Sequence, residues 1–218
     1  MMKRHFVGRV GVAVILIVSL ILSGCSTDWI GEAEQIVTAL IPAASNIVAL
    51  VAALQGKSVS TTDMATIQNV GAQAGADLQL IESLIAAYEK ADDAAKPGIL
   101  NQIQSAIGAV EGNLQGLMPA LHIKDAATQA KVTAVVGLVL AEVESLAAVV
   151  PLVQGQGRAA ALRAHSVMVP LSANEFVKSY NATMTAKTGN AALDKAAAGL
   201  QIHLHGKVAR VASAGVLK

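Results

Sequence analysis

Apolar residues recur along most of this chain at alternating steps of four and three. The first series runs through Ile36, Leu40, Ala43, Ile47, Leu50 and Leu54. A second joins Ile67, Gly71, Ala74, Leu78, Ile81, Ile85 and Tyr88. A third joins Leu100, Ile103, Ile107, Val110, Leu114 and Leu117, and a fourth Val132, Val136, Val139, Val143, Leu146 and Val150. A mean spacing of about 3.5 is the pattern of helices packed at shallow angles. It predicts four helices, over 28–55 and 63–91, from Pro97 onward, and from Asp125 onward. Pro97 suits the first turn of a helix, and Asp125 suits an N-cap. Breakers fill the links at 56–62, 92–97 and 118–124, the last with Pro119. Links this short favour antiparallel neighbours. The expected fold is therefore all-α: an up-down antiparallel four-helix bundle roughly 30–37 Å long.

Beyond Gly155-Gln156-Gly157, a natural linker, two more amphipathic helices are expected. Ser172-Ala173-Asn174-Glu175 fits a capping box, and Phe176, Tyr180 and Met184 share the face that follows. Gly189-Asn190 breaks that pattern. Leu193, Ala197, Leu200 and Leu204 then predict a second helix, continued by Val208 and Val211.

Composition sharpens this picture. Hydrophobic residues make up 54% of the chain but aromatics only 2%, so Ala, Val, Leu and Ile must build the core. Abundant Ala favours helix. So few aromatic rings exclude an aromatic cage or a carbohydrate-stacking surface. The mean hydropathy of +0.54 raises the question of membrane contact. The net charge of +1 conceals three regions. Residues 1–24 hold Lys3, Arg4 and Arg9 and no acid. Residues 25–155 hold five lysines, no arginine and thirteen carboxylates. Residues 156–218 hold eight Lys or Arg against Glu175 and Asp194. An acidic body thus carries a basic helical tail. Such a tail is a candidate contact, through Arg158, Arg163, Lys178, Lys187, Lys195, Lys207 and Arg210, for an acidic protein or an anionic membrane surface.

The N-terminus follows a separate logic. A basic start precedes an uncharged run from Val10 to Leu22, too short for the roughly 20 apolar residues of a spanning helix and suited to the core of a secretory signal. Leu22-Ser23-Gly24-Cys25 then resembles the lipobox of bacterial lipoproteins; the resemblance covers residues 1–26 alone. It implies cleavage after Gly24, with Leu22, Ser23 and Gly24 as the recognition stretch. It also implies a diacylglyceryl group on the Cys25 sulfur and an acyl chain such as palmitate on its amine. A thiol is the right nucleophile for lipid transfer, and a diacylglyceryl group supplies both chains that stable anchoring needs. By the same resemblance, Ser26 in place of Asp points to the periplasmic side of the outer membrane in a Gram-negative cell. In a Gram-positive cell the outer face of the plasma membrane is expected. The chain then divides into a cleaved signal (1–24), an acidic bundle (25–155) and a basic helical tail (156–218). Cys25 is the only cysteine, so no internal disulfide braces the fold.

Catalytic and metal chemistry find little footing. There is no G-x-S-x-G, P-loop or G-x-G-x-x-G sequence, and no H-E-x-x-H or Cys-His set. The pairs Glu32/Glu34, Asp92/Asp93 and Glu142/Glu144 do not face each other on a helix and are expected on a solvated surface. The basic tail lacks the interleaved aromatics of a single-strand binder, so no nucleic acid is expected. The expectation is a non-enzymatic envelope module without cofactor beyond its covalent lipid. The alternatives are a membrane-inserting or pore-forming protein, because 36–54 and 132–153 are oily, or a small-ligand carrier with a cavity in the bundle. Gly71 and Gly75, and Gly108, Gly112 and Gly116, recur at four-residue steps. Each mid-helix glycine costs about 1 kcal/mol against Ala, and close helix packing is the expected compensation.

Overall fold

A computed structural model of the protein describes residues 28–53, 60–120, 123, 125–153, 171–205 and 208–211. Six helices dominate it: α1 (Asp28–Ala52), α2 (Thr61–Lys90), α3 (Lys96–Ala120), α4 (Ala126–Val149), α5 (Ala173–Thr185) and α6 (Ala191–Ala198). One two-stranded antiparallel pair follows, β1 (Ile202–His205) and β2 (Val208–Val211), with Ile202 opposite Val211 and His205 opposite Val208. The protein is all-α with this small addition.

Local chemistry explains the helix boundaries. The Ser60 hydroxyl accepts from Asp63 N at 3.1 Å to open α2, and the Asp125 carboxylate accepts from Thr128 N at 2.8 Å to open α4. At α5 the capping box is complete: Ser172 Oγ accepts from Glu175 N, and Ser172 N donates to Glu175 Oε2 at 3.0 Å. Each bond satisfies a backbone N–H that the first helical turn leaves without a partner. α3 runs on through Pro119, beyond the break expected near Met118.

The predicted seams face inward. Ile36, Leu40, Ile47 and Leu50 of α1 are buried, as are Ile67, Leu78, Ile81 and Ile85 of α2. Ile103, Val110, Leu114 and Leu117 of α3 and Val132, Val136, Val139 and Leu146 of α4 join the same core. α2 packs on α1 and α3, and α4 packs on α1, α3 and α5. Trp29, at the start of α1, meets Tyr88, near the end of α2, edge-on at 5.1 Å between ring centroids. Val48, near the end of α1, lies against Gly71, in the first half of α2. Asn113 of α3 donates to Asp77 of α2 at 3.1 Å, and Gln104 of α3 donates to the Pro151 carbonyl at 2.8 Å.

Two expectations need correction. Leu200, Leu204, Val208 and Val211 do not continue a helix. α6 ends at Gly199, and the chain turns into the strand pair. Ile202 is buried while His203 is exposed, so the governing period here is two. Asn181 of α5 fixes the change: its side chain accepts from Ile202 N at 2.8 Å and donates to Ile202 O at 2.7 Å, as a neighbouring strand would.

The second correction concerns the glycines. Gly71 is buried, and a Cβ there would run into the Val48 side chain. Around Gly75, Gly108, Gly112 and Gly116 a Cβ would meet nothing within 4 Å, and the last three are exposed. Close packing does not explain those four. Ala in place of Gly108, Gly112 or Gly116 is therefore expected to raise stability by about 0.5–1 kcal/mol each, because the helix gains rigidity and no neighbour is struck. Gly71→Ala should instead lower it by about 1 kcal/mol. The stiff, β-branched Val48 cannot easily yield, and the clash exceeds the helical gain. Urea midpoints of the four single variants check both signs.

Candidate functional site: polar groups buried beneath the C-terminal unit

The basic residues singled out in the tail do not form one cluster. Lys178 is exposed on α5. Lys187 and Lys195 are exposed and come together beside Gly189 and Asp194, at a shallow crevice of about 440 Å³. The Arg210 side chain, and Leu22, Ser23, Gly24, Cys25, Arg158, Arg163 and Lys207, lie outside the described residues. Among the described residues, no group of three His, Cys, Asp or Glu side chains is disposed to hold a metal.

The more unusual chemistry is buried where 171–211 packs on the first four helices. Lys131, in the second turn of α4, is only 5% exposed. Its ammonium donates to the Met184 carbonyl at 2.8 Å and the Ala186 carbonyl at 2.7 Å, and lies 3.7 Å from the Asp194 carboxylate. Those carbonyls belong to the C-terminal end of α5, where the helix leaves acceptors unpaired and its dipole favours a cation. Burial pulls the Lys131 pKa below its usual value, and the Asp194 charge opposes that pull. At Asp194 burial acts upward, but Thr188 N–H and hydroxyl donors and the Lys131 and Lys187 charges outweigh it, leaving the carboxyl below its usual range. Asp194 lies in the first turn of α6 and accepts from Thr188 N at 3.0 Å and Thr188 Oγ1 at 2.9 Å. One ammonium thus joins α4, the end of α5 and the start of α6.

Asn46 supplies a second tie. It is buried in α1 and donates to the Leu200 carbonyl at 2.8 Å. Tyr180 is fully buried, its hydroxyl outside good hydrogen-bond geometry but close enough for Asn46 to oppose the effect of burial. Burial holds the phenol far above its usual pKa, so it stays neutral.

Glu142 of α4 departs from the expected solvated surface. Its neighbour Glu144 is exposed, but Glu142 is 0% exposed, and neither carboxyl oxygen has a hydrogen-bond partner. Burial, then the Glu175 and Glu32 charges, push its pKa from 4.5 up to about 8. Glu32 lines an open crevice of about 430 Å³ between the first turns of α1 and α5, with Gly31, Gln35, Ser172, Ala173 and Asn174. An acid interrupting an otherwise oily helix was the visible signal for Glu142. Lys131 gave less warning, since it stands one position before the seam residue Val132.

Comparison with family models, curated proteins and solved structures gives no match.

Two stability outcomes follow from these groups. Lys131→Met should cost about 3 kcal/mol, because it takes the donor from the buried Met184 carbonyl and the part-buried Ala186 carbonyl and the cation from beside Asp194; the shift in urea midpoint of the full-length protein reads it. Glu142 binds its proton more tightly folded than unfolded. Its contribution is therefore fully present below pH 4.5 and is lost as pH rises from there through about 8. Glu142→Gln should flatten that decline and raise stability at pH 7 by up to about 3 kcal/mol. Denaturant melts at pH 5, 7 and 9 measure the difference.

Proposed function

We propose that the protein is a lipid-anchored module of the bacterial cell envelope with a structural or interaction role rather than a catalytic one. The observation that carries this reading is the sequence Leu22-Ser23-Gly24-Cys25 at the end of a basic and then apolar N-terminus. α1 begins at Asp28, three residues after the cysteine. Four residue steps separate Cys25 from Trp29, a reach of at most about 14 Å, so a lipid on that sulfur holds the start of α1 close to the membrane.

The four long helices form an up-down antiparallel bundle in this reading. The contacts of Trp29 with Tyr88, Val48 with Gly71, and Asp77 with Asn113 support it, because each pairs an advancing position with a receding one. The arrangement has a consequence for the tail. Asn46, near the end of α1, holds Leu200, and Lys131, near the start of α4, holds the chain just before Lys187. Both ties belong to the end of the bundle remote from Cys25. Lys187 and Lys195 then face away from the anchoring membrane, which favours an acidic macromolecule over that membrane as their partner.

Insertion of helices into the bilayer is the rival reading, since α1 and α4 are long and apolar enough to cross one. It would withdraw Ile36, Leu40, Val136 and Val139 from the core and carry Lys131 and Glu142 into lipid. A charged or acidic side chain at mid-membrane costs several kcal/mol. Wild-type protein grown with a labelled fatty acid should acquire the label, and Cys25→Ser should acquire none and keep residues 1–24. Label persisting on Cys25→Ser, or absent from the wild type, would sink the anchor.

A further inference from the structure

Glu142 has no role in the tether or in the tail's basic surface, yet its position is costly. A carboxyl with both oxygens unpartnered and no exposure is tolerated only while it is neutral. Among the described residues, the elements around it offer no cation in its place. The charges that bear on it are those of Glu175 on α5 and Glu32 on α1. Lys178 of α5 acts on Glu175 rather than on Glu142. Lys96 and Glu111, the charged residues of α3 between 96 and 120, do not act on it, nor does Glu144 of its own helix. Glu175 is held ionised by the backbone and hydroxyl donors of Ser172 in the capping box. Ionised Glu142 would meet like charges from α1 and α5.

The way α5 is fastened decides what gives when that happens. Its C-terminal half is held by Lys131 at Met184 and Ala186 and by Asn181 at Ile202. At its N-terminal end, among the described residues, the side-chain hydrogen bond to the rest of the fold is the one that Leu171 N donates to Ser145 Oγ at 2.9 Å. Apolar contact through Ala173 and Phe176 does the remaining work there. The open crevice bounded by Glu32, Gln35, Ser172 and Asn174 already brings solvent to the first turn of α5.

We propose that Glu142 is a proton-controlled latch on α5: the protonated carboxyl lets the N-terminal half of α5 close over α1 and α4, and loss of that proton lifts it and admits water to the seam. The polar ties at the C-terminal half make that end the hinge. The raised pKa of about 8 sets the transition in mildly alkaline solution. The latch stands independently of the lipid anchor.

Amide hydrogen exchange of the full-length protein, read by mass spectrometry from pH 6 to 9.5 and corrected for the intrinsic rate at each pH, tests this. Protection over 173–180 should fall about tenfold or more between pH 6.5 and 9, while 103–114 of α3 keeps its protection. Glu142→Gln should hold 173–180 protected throughout. Glu32→Gln, a surface change, should move the midpoint to lower pH by removing a like charge. Protection over 173–180 that stays constant to pH 9.5 in the wild type overturns the latch. So does a loss that persists in Glu142→Gln, or one shared equally by 103–114. Should Glu142→Gln not fold, an unmoved midpoint in Glu32→Gln overturns it as well.

Discussion

The burial of ionisable side chains on α4 is the constraint on which the arrangement of this protein turns. α4 packs against α1, α3 and α5, and among its buried residues it carries Lys131 and Glu142 inward. The two are accommodated by opposite means. Lys131 keeps its charge because α5 ends on it with two carbonyls and α6 begins beside it with Asp194. Glu142 is held neutral by burial and by the like charges of Glu175 and Glu32, with no cation acting on it among the described residues. The first solution ties the C-terminal residues to the helices before them. The second leaves the opposite end of α5 dependent on a proton. A fold that resolved both residues in the same way would have no asymmetry along α5.

The helices were legible because an apolar seam with a period near 3.5 has one structural meaning when it runs for six or seven positions. Among the described residues, all four long series lie in the core or, like Tyr88, pack against it. The strand pair was not legible. Leu200, Leu204, Val208 and Val211 satisfy a helical spacing, while Ile202 and Leu204 also satisfy a period of two, and a stretch this short does not choose. The choice is made by a tertiary contact, the Asn181 side chain bonded to both backbone groups of Ile202. Propensity yields to tertiary context at such places.

The glycine stripe carried its own answer, and spacing alone obscured it. The α3 seam through Ile103, Ile107, Val110, Leu114 and Leu117 leaves Gly108, Gly112 and Gly116 on the opposite side, where each is exposed. Gly71 belongs to the α2 seam itself, between Ile67 and Ala74, and it is the one that meets a neighbour. A glycine is informative about close approach only after the inward face has been identified. The candidate site was legible in part for a related reason. Glu142 stands out in an oily run, but its neighbour Glu144 made the pair look like a solvated edge. At two residues apart on a helix, one of the pair can face the core while the other faces water.

These features give the molecule a direction. The start of α1, with Trp29 and Tyr88, marks the end nearest Cys25 in sequence. Lys131, Asn46, Lys187 and Lys195 gather where the C-terminal residues are tied down. The crevice at Glu32 and Ser172 lies at the first turns of α1 and α5, and the charges of those turns act on Glu142. α5 spans 13 residues, about 20 Å, so its first turn, the end that lifts, stands about that far from its fixed end and from the two exposed lysines. If the protein is anchored through Cys25, movement at Glu142 takes place near the membrane while the basic surface is presented away from it. Because α5 is a single continuous helix with its fixed point at Lys131, lifting its first turns need not disturb Lys187 and Lys195. In the proposed reading the two ends can therefore act separately: one responds to protons near the anchor, and the other offers charge to a partner.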